Sequence, residues 1–311
     1  MRESVGAATA REGPPQVLSE DCIVYSDGLR LGAALHLPDE HDGATRLPLV
    51  IPCSGFTGLR HIHPARFARA LTSRGYACFA FDYRGFADSE GVRNRVLLGE
   101  QVRDIRAATA YASEDERVDP HRIVLLGWGV GAGIVIDAAW AIPYVRGLIS
   151  INGFYNGTRF QAAHRTPSEL RAFIARVWQA RALRARTGQL DSVDPFDIHP
   201  LDESSRSYVD YFLKAVRGYD AEGYDLDFAE SLLAWNPEAL ASEFTLPILI
   251  AHGEQNDLYP YSEALSLYRA WGGEKALHRI QGAGHTEWMH DDNEHFLELM
   301  DAISAWLATY L

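Results

Sequence analysis

Residues 125–134 read Leu-Leu-Gly-Trp-Gly-Val-Gly-Ala-Gly-Ile (LLGWGVGAGI), an apolar run that passes through alternating glycines into a second apolar stretch. The first part has the pattern of a buried strand, the last that of a helix, and the glycines between them mark a turn too tight for side chains. No hydroxyl or thiol lies in the turn, and Gly129 stands at its apex. The spacing also differs from a dinucleotide fingerprint, which needs G-x-G-x-x-G after the first strand and an acid about 20 residues further on. Here Gly127, Gly129, Gly131 and Gly133 alternate strictly, deep in the chain.

Working outward, LPLVIPCSGF (47–56), YACFAFDYRG (76–85), RIVLLGW (122–128), VRGLISING (145–153) and LPILIAHG (246–253) are short, nearly continuous apolar runs. Such runs are expected of parallel strands buried on both faces. Helical patterns separate most of them, among them PARFARALTSRG, EQVRDIRAATAYAS and GAGIVIDAAWAI. The alternation predicts βαβ crossovers in one doubly wound sheet. Two β-rich runs around Ser26-Asp27-Gly28 predict an opening antiparallel hairpin.

The pattern breaks at about residue 155 and resumes at about 243. The intervening segment is helical in SELRAFIARVWQARALRAR and SSRSYVDYFLKAVRGY, and a structureless loop of that length does not suit a compact domain. A core formed by residues 21–154 and 243–311 is therefore expected, with a helical cap inserted at 155–242. Residues 1–20, small, polar and proline-bearing, are expected to be a flexible tail.

Composition excludes several functions. The chain has 311 residues, 47% of them hydrophobic, enough for a large core. Its net charge of -13 disfavours nucleic acid and anionic membranes as partners. No apolar stretch approaches a membrane span, and the N-terminus lacks a signal-peptide core. The three cysteines, Cys22, Cys53 and Cys78, are too widely spaced for a zinc site or a disulfide framework, which fits a reducing cytoplasm. No cofactor or metal is expected. A small-molecule partner is, and a homo-oligomer is left open.

Four motifs, in order, resemble the α/β-hydrolase superfamily, and more narrowly its cap-bearing serine-hydrolase-like branch. IPCSGFTG (51–58) sits where the family has its oxyanion loop, FDYRGFADSEG (81–91) resembles the stretch after the fourth strand, and GWGVG (127–131) occupies the G-x-S-x-G nucleophile elbow. HGEQNDLYP (252–260) and GAGH (282–285) resemble the segments that bring the acid and the histidine. The resemblance covers residues 21–311 and implies an α/β-hydrolase fold with a mostly parallel eight-stranded sheet and a helical cap.

It also implies a site. Gly129 takes the position of the nucleophilic serine. The backbone N–H groups of Val130 and Phe56 would form the oxyanion hole, which needs no particular side chain. His285 takes the place of the general base. The family's aspartate falls on Asn256, with Asp257 one residue later; a shifted turn would bring Asp257 to the histidine, and Glu254 is a third candidate. Trp128, Ser54, Tyr155, Tyr208 and Tyr211 are candidate substrate-binding residues. Asp82 and Arg84 are expected to form structural ion pairs, and Cys53 to be a small buried apolar residue.

A base and an oxyanion hole without a nucleophile point to non-covalent chemistry: elimination, carbon–carbon cleavage or cyclisation of a small carbonyl-containing metabolite, in the manner of natural-product tailoring. Two alternatives stand beside this. One is an esterase- or thioesterase-type hydrolase, including a Ser to Gly variant; the other is a catalytically dead protein that binds a ligand in the old pocket.

Overall fold

Along each central strand, neighbouring residues face opposite sides of the sheet and both sides are covered. This is why the strands read as unbroken apolar runs. A computed structural model describes residues 18–39, 41, 43–189, 191–219 and 223–311. Its eight strands are β1 (Leu18–Ser26), β2 (Leu29–Leu37), β3 (Leu47–Cys53), β4 (Ala77–Phe81), β5 (Val118–Trp128), β6 (Val145–Ile151), β7 (Ile248–Gly253) and β8 (Lys275–Ile280). They form one sheet in the order β1-β2-β4-β3-β5-β6-β7-β8. β2 is antiparallel to β1 and β4, and every later pairing is parallel.

The opening hairpin forms at the expected turn. Asp27 and Gly28 both have positive φ, 49° and 81°, as a two-residue type I′ turn requires. β1 begins at Leu18, so the last three residues of the expected tail, 18–20, are strand instead; its remainder lies outside the described residues.

Helices α1 (His63–Thr72), α2 (Leu98–Ser113) and α3 (Val130–Ala139) follow β3, β4 and β5, α9 (Tyr261–Ala270) follows β7, and α10 (Glu294–Tyr310) closes the chain. One face of the sheet offers Val50, Val124, Leu126, Ile149 and Leu249 to α1 and α10. α10 answers with Phe296, Leu299, Met300, Ile303 and Leu307, the spacing of a single helical stripe. The other face, with Leu49, Ile51, Leu125, Leu148 and Ile250, packs on α2, α3 and α9. α3 is almost wholly buried because the sheet lies beneath it and other helices lie beside it.

Between β6 and β7 the chain forms α4 (Gly157–Ala163), α5 (Pro167–Thr187), α6 (Pro195–Ile198), α7 (Glu203–Tyr211) and α8 (Asp227–Ala234), with 3-10 turns at 213–215 and 237–243. α5 is set by local chemistry: Thr166 and Glu169 form a capping box at its start, and Gly188 ends it in the left-handed region. Only Phe173 and Val177 of its 21 residues are buried, so it rides on the surface.

The FDYRG segment is structural, as expected, with separate partners for its two charges. Buried Asp82 pairs with Arg60, while buried Arg84 binds Asp104 through both backbone N–H and guanidinium and also reaches Asp27. Cys53 is buried, and burial pushes its thiol pKa upward.

Candidate active site

The site gathers at the C-terminal edge of the central strands. β5 ends at Trp128 and turns through Gly129 directly into α3. Gly129 has φ 61° and ψ -123°, a region that is costly for residues with a β-carbon. Its neighbours are glycines for a different reason. A Cβ on Gly127 would collide with the Gly131 carbonyl, and one on Gly131 with the Ser54 carbonyl. At Gly129 a Cβ would meet only His285 Nε2, at 3.8 Å.

The loop after β3 lies against this turn. Gln101 Nε2 donates to the Phe56 carbonyl at 3.2 Å and Tyr83 Oη to the Ser54 carbonyl at 3.4 Å, which fixes the peptide planes. Among the described residues, no acceptor takes the Phe56 N–H. Val130 is the first residue of α3, so its N–H has no intrahelical partner. Both residues line the pocket, Val130 at the positive end of the α3 dipole.

His285 follows β8 on a loop that is firmly held. Asn152, at the end of β6 with φ 48°, donates from Nδ2 to the His285 carbonyl at 2.8 Å and the Gly284 carbonyl at 3.3 Å, and accepts the Gly253 N–H at 2.8 Å. One buried side chain thus joins three strand ends. The imidazole packs against Trp128, centroids 5.5 Å apart, and lies edge-on to Tyr259 at 4.8 Å.

The residue that meets His285 is Asn256: its Nδ2 lies 3.0 Å from His285 Nδ1, and its Oδ1 accepts the Tyr259 N–H at 2.9 Å. Asp257, the carboxylate expected from a shifted turn, is exposed to solvent, because the turn after β7 buries residue 256 and turns 257 outward. Glu254 is also exposed and pairs with Arg279. Behind Asn256, His252 Nε2 donates to the Tyr259 carbonyl at 2.8 Å.

The pocket above Gly129 is a cavity of about 80 Å³. Its floor is Gly55, Phe56, Trp128, Gly129, Val130 and His285, and its roof comes from the segment between β6 and β7, including Phe196, Leu201, Val209 and Leu213. Tyr208 and Trp128 line it as expected. Ser54 is buried beneath the loop instead. Tyr155 is buried away from the cavity, bonded to Ser150 Oγ at 2.7 Å, and Tyr211 is 88% exposed. Tyr208 and Tyr211 are three residues apart, but α7 ends at the latter, which leaves it outside the roof.

Among the lining residues not expected from the sequence are two histidines, His63 and His199. His63 is stacked between Trp128 and Tyr208, and His199 Nε2 meets Tyr259 Oη at 2.5 Å. Each stands before a proline in an Ile-His-Pro triplet, the only local signal for them. Burial pushes both to a pKa of about 3 and His252 to about 4. His285 is also held well below 6.5, first by burial and then by these three histidines.

A grouping of His61, Asp82 and Asp88 lies apart from the pocket, and Arg60 already bonds both of its carboxylates. No helix among the described residues is long and apolar enough to cross a membrane.

Comparison with known proteins agrees with this geometry. A 31.7 kDa Escherichia coli protein from the traX-finO intergenic region, uncharacterised, is 29% identical over 78% of this chain and 85% of its own. The thiohydrolase aneE of Aspergillus aculeatus is 23% identical over 94% of this chain and 91% of its own. The α/β hydrolase GrgF from Penicillium sp. superposes with a TM-score of 0.78 at 18% identity, covering 94% of this chain and 99% of that one. The family described as serine aminopeptidase, S33, matches residues 49–293. With its eight-stranded sheet, its elbow at residue 129 and that match, the chain belongs to the serine aminopeptidase S33 family of α/β hydrolases.

Proposed function

We propose that this chain is a non-hydrolytic enzyme that activates a small carbonyl-containing compound without forming a covalent intermediate. The oxyanion loop and α3 hold the carbonyl oxygen, His285 governs the proton at that oxygen or beside it, and the roof excludes water. Elimination, carbon–carbon cleavage and ring closure all run through an enolate-like state that such a site stabilises.

The observation that carries this reading is the apex itself. Position 129 has room for a side chain facing His285 Nε2, yet it is glycine, while both backbone donors and the histidine remain. Loss of a triad nucleophile leaves only about 10³–10⁴-fold catalysis over water. An acyl-enzyme route is therefore a poor use of this pocket.

A second reading, hydrolysis by a water in the space beside Gly129, is favoured by the thiohydrolase name of one full-length relative. A panel of β-hydroxy ketones, β-keto acids and 1,3-dicarbonyls, followed by mass spectrometry beside 4-nitrophenyl esters and thioesters, separates the two. We expect turnover in the first set, lost in His285→Ala, and ester cleavage no more than about 10³–10⁴-fold above the solvent rate. Efficient ester or thioester hydrolysis by the unaltered chain would refute the proposal. Binding without turnover in either set would make the protein a ligand-binding module.

A further inference from the structure

We propose that His285 presents Nε2–H to the pocket as a hydrogen-bond donor and that, with the Phe56 and Val130 N–H groups, it forms a donor-only site for a small oxyanion. The ligand class is an enolate or carboxylate on an apolar body. This deepens the reading of the pocket as a nucleophile-free site and rests on it.

The argument starts at Tyr259. Its backbone N–H can only donate, so the end of the Asn256 side chain facing it, 2.9 Å away, must be the carbonyl oxygen. That choice leaves the NH₂ end against His285 Nδ1 at 3.0 Å. An N–H aimed at Nδ1 requires a lone pair there, and a neutral imidazole with a bare Nδ1 carries its proton on Nε2. Rotating the amide would set NH₂ against the Tyr259 N–H and lose that 2.9 Å hydrogen bond, in exchange for a longer one from His252 Nε2–H, 3.3 Å away, to the oxygen that would then face it.

The surroundings keep the ring neutral. The titratable groups around it are His252, His199 and His63, themselves held neutral by burial, and the edge of Tyr259. Among the described residues no carboxylate hydrogen-bonds the ring. An aspartate at 256 would do the reverse: it would accept a hydrogen bond from Nδ1–H and leave the lone pair on Nε2.

Nε2 points at the apex, 3.8 Å from where a Cβ of residue 129 would lie. The site there offers N–H groups only, and a neutral imidazole can polarise an oxygen in this way without giving up its proton. Further from the apex, Leu201, Val209, Leu213 and Leu258 give the wall an apolar part, beside hydroxyl and imidazole groups of Thr57, Ser205, Tyr208 and His199. A ligand that matches the apex brings an oxygen bearing negative charge, with an apolar body against the leucines and the valine.

Long-range ¹H–¹⁵N NMR of the histidine rings in the full chain reads the tautomer directly, with His285→Gln used for assignment. The expected result is a protonated Nε2 and a bare Nδ1, unchanged from mildly acidic to alkaline pH. In Asn256→Asp the proton should move to Nδ1 at alkaline pH. Finding Nδ1–H in the unaltered chain, or the same tautomer in both proteins, would overturn the proposal.

Binding provides the second arm. Isobutyrate should bind about tenfold or more tightly than isobutyramide, its neutral isostere, and equal binding would refute a donor-only site. Acetylacetone distinguishes the two sources of the oxyanion: an affinity that rises as the diketone ionises assigns an enolate, and isobutyrate selectivity without that rise assigns a carboxylate. Failure of the NMR result leaves non-hydrolytic catalysis standing with His285 as base. Ester hydrolysis by the unaltered chain overturns the catalytic proposal and leaves the tautomer as found.

Discussion

Restoring a serine at the apex should not by itself restore a hydrolase. In Gly129→Ser the new Cβ would sit 3.8 Å from His285 Nε2, which brings Oγ within hydrogen-bonding reach. The histidine would meet it with N–H, because Asn256 donates to Nδ1. In a serine-protease triad, asparagine in place of aspartate leaves the geometry intact and lowers kcat by about 10⁴. The single variant should therefore hydrolyse 4-nitrophenyl butyrate no faster than the residual rate of the unaltered chain, and Asn256→Asp alone should do no better without a nucleophile. Together they should gain about 10⁴-fold over Gly129→Ser, a coupling of about 5.5 kcal/mol. Because φ is 61° at this position, the serine should also cost about 1–3 kcal/mol of stability, read by urea denaturation. If Gly129→Ser matches the double variant in activity, Asn256 does not control the imidazole and the reasoning fails.

Three further outcomes follow from packing and charge. Gly127→Ala and Gly131→Ala place a methyl against backbone carbonyls that cannot rotate away, so each should lose about 4 kcal/mol or more, well beyond Gly129→Ala, in denaturant titrations. Asp104→Ala strips buried Arg84 of its principal partner and should destabilise the fold by about 3–5 kcal/mol; a loss under 1 kcal/mol would show that Asp27 alone suffices. Stability should fall on acidification. His63 and His199, at about 3, and His252, at about 4, stay neutral in the folded chain while their unfolded counterparts protonate near 6.5, so the unfolded state binds more protons between about pH 6.5 and 4. At pH 5 each contributes on the order of 2 kcal/mol of lost stability, and a Tm flat from pH 7 to 5 would contradict their burial.

The fold was legible because its determinants are local. Apolar runs at β3 to β7, the hairpin turn at Asp27-Gly28 and the glycines at 127 and 131 each state a backbone requirement in the residues themselves. The pocket's lining was legible where backbone places it, at Phe56 and Val130, and where a motif places it, at His285. It failed where a tertiary relation decides. Asn256 and Asp257 are adjacent, and only the path of the turn after β7 buries one and exposes the other. Tyr155, Tyr208 and Tyr211 look alike in sequence; one packs against Ser150, one roofs the pocket, and one faces solvent because its helix stops there. His63 and His199 come from distant segments that meet only once the roof is folded.

The bracket at Asn152 divides the labour in the molecule. By tying the ends of β6 and β7 to the His285 loop, it gives the floor of the pocket a bracket of its own, in which the apolar residues of the roof take no part. Phe196, Leu201, Val209 and Leu213 touch the cavity from above and hold none of those bonds. Ligand range can therefore drift, or be redesigned, by exchanging these four residues while the electrostatics at Gly129 stay as they are.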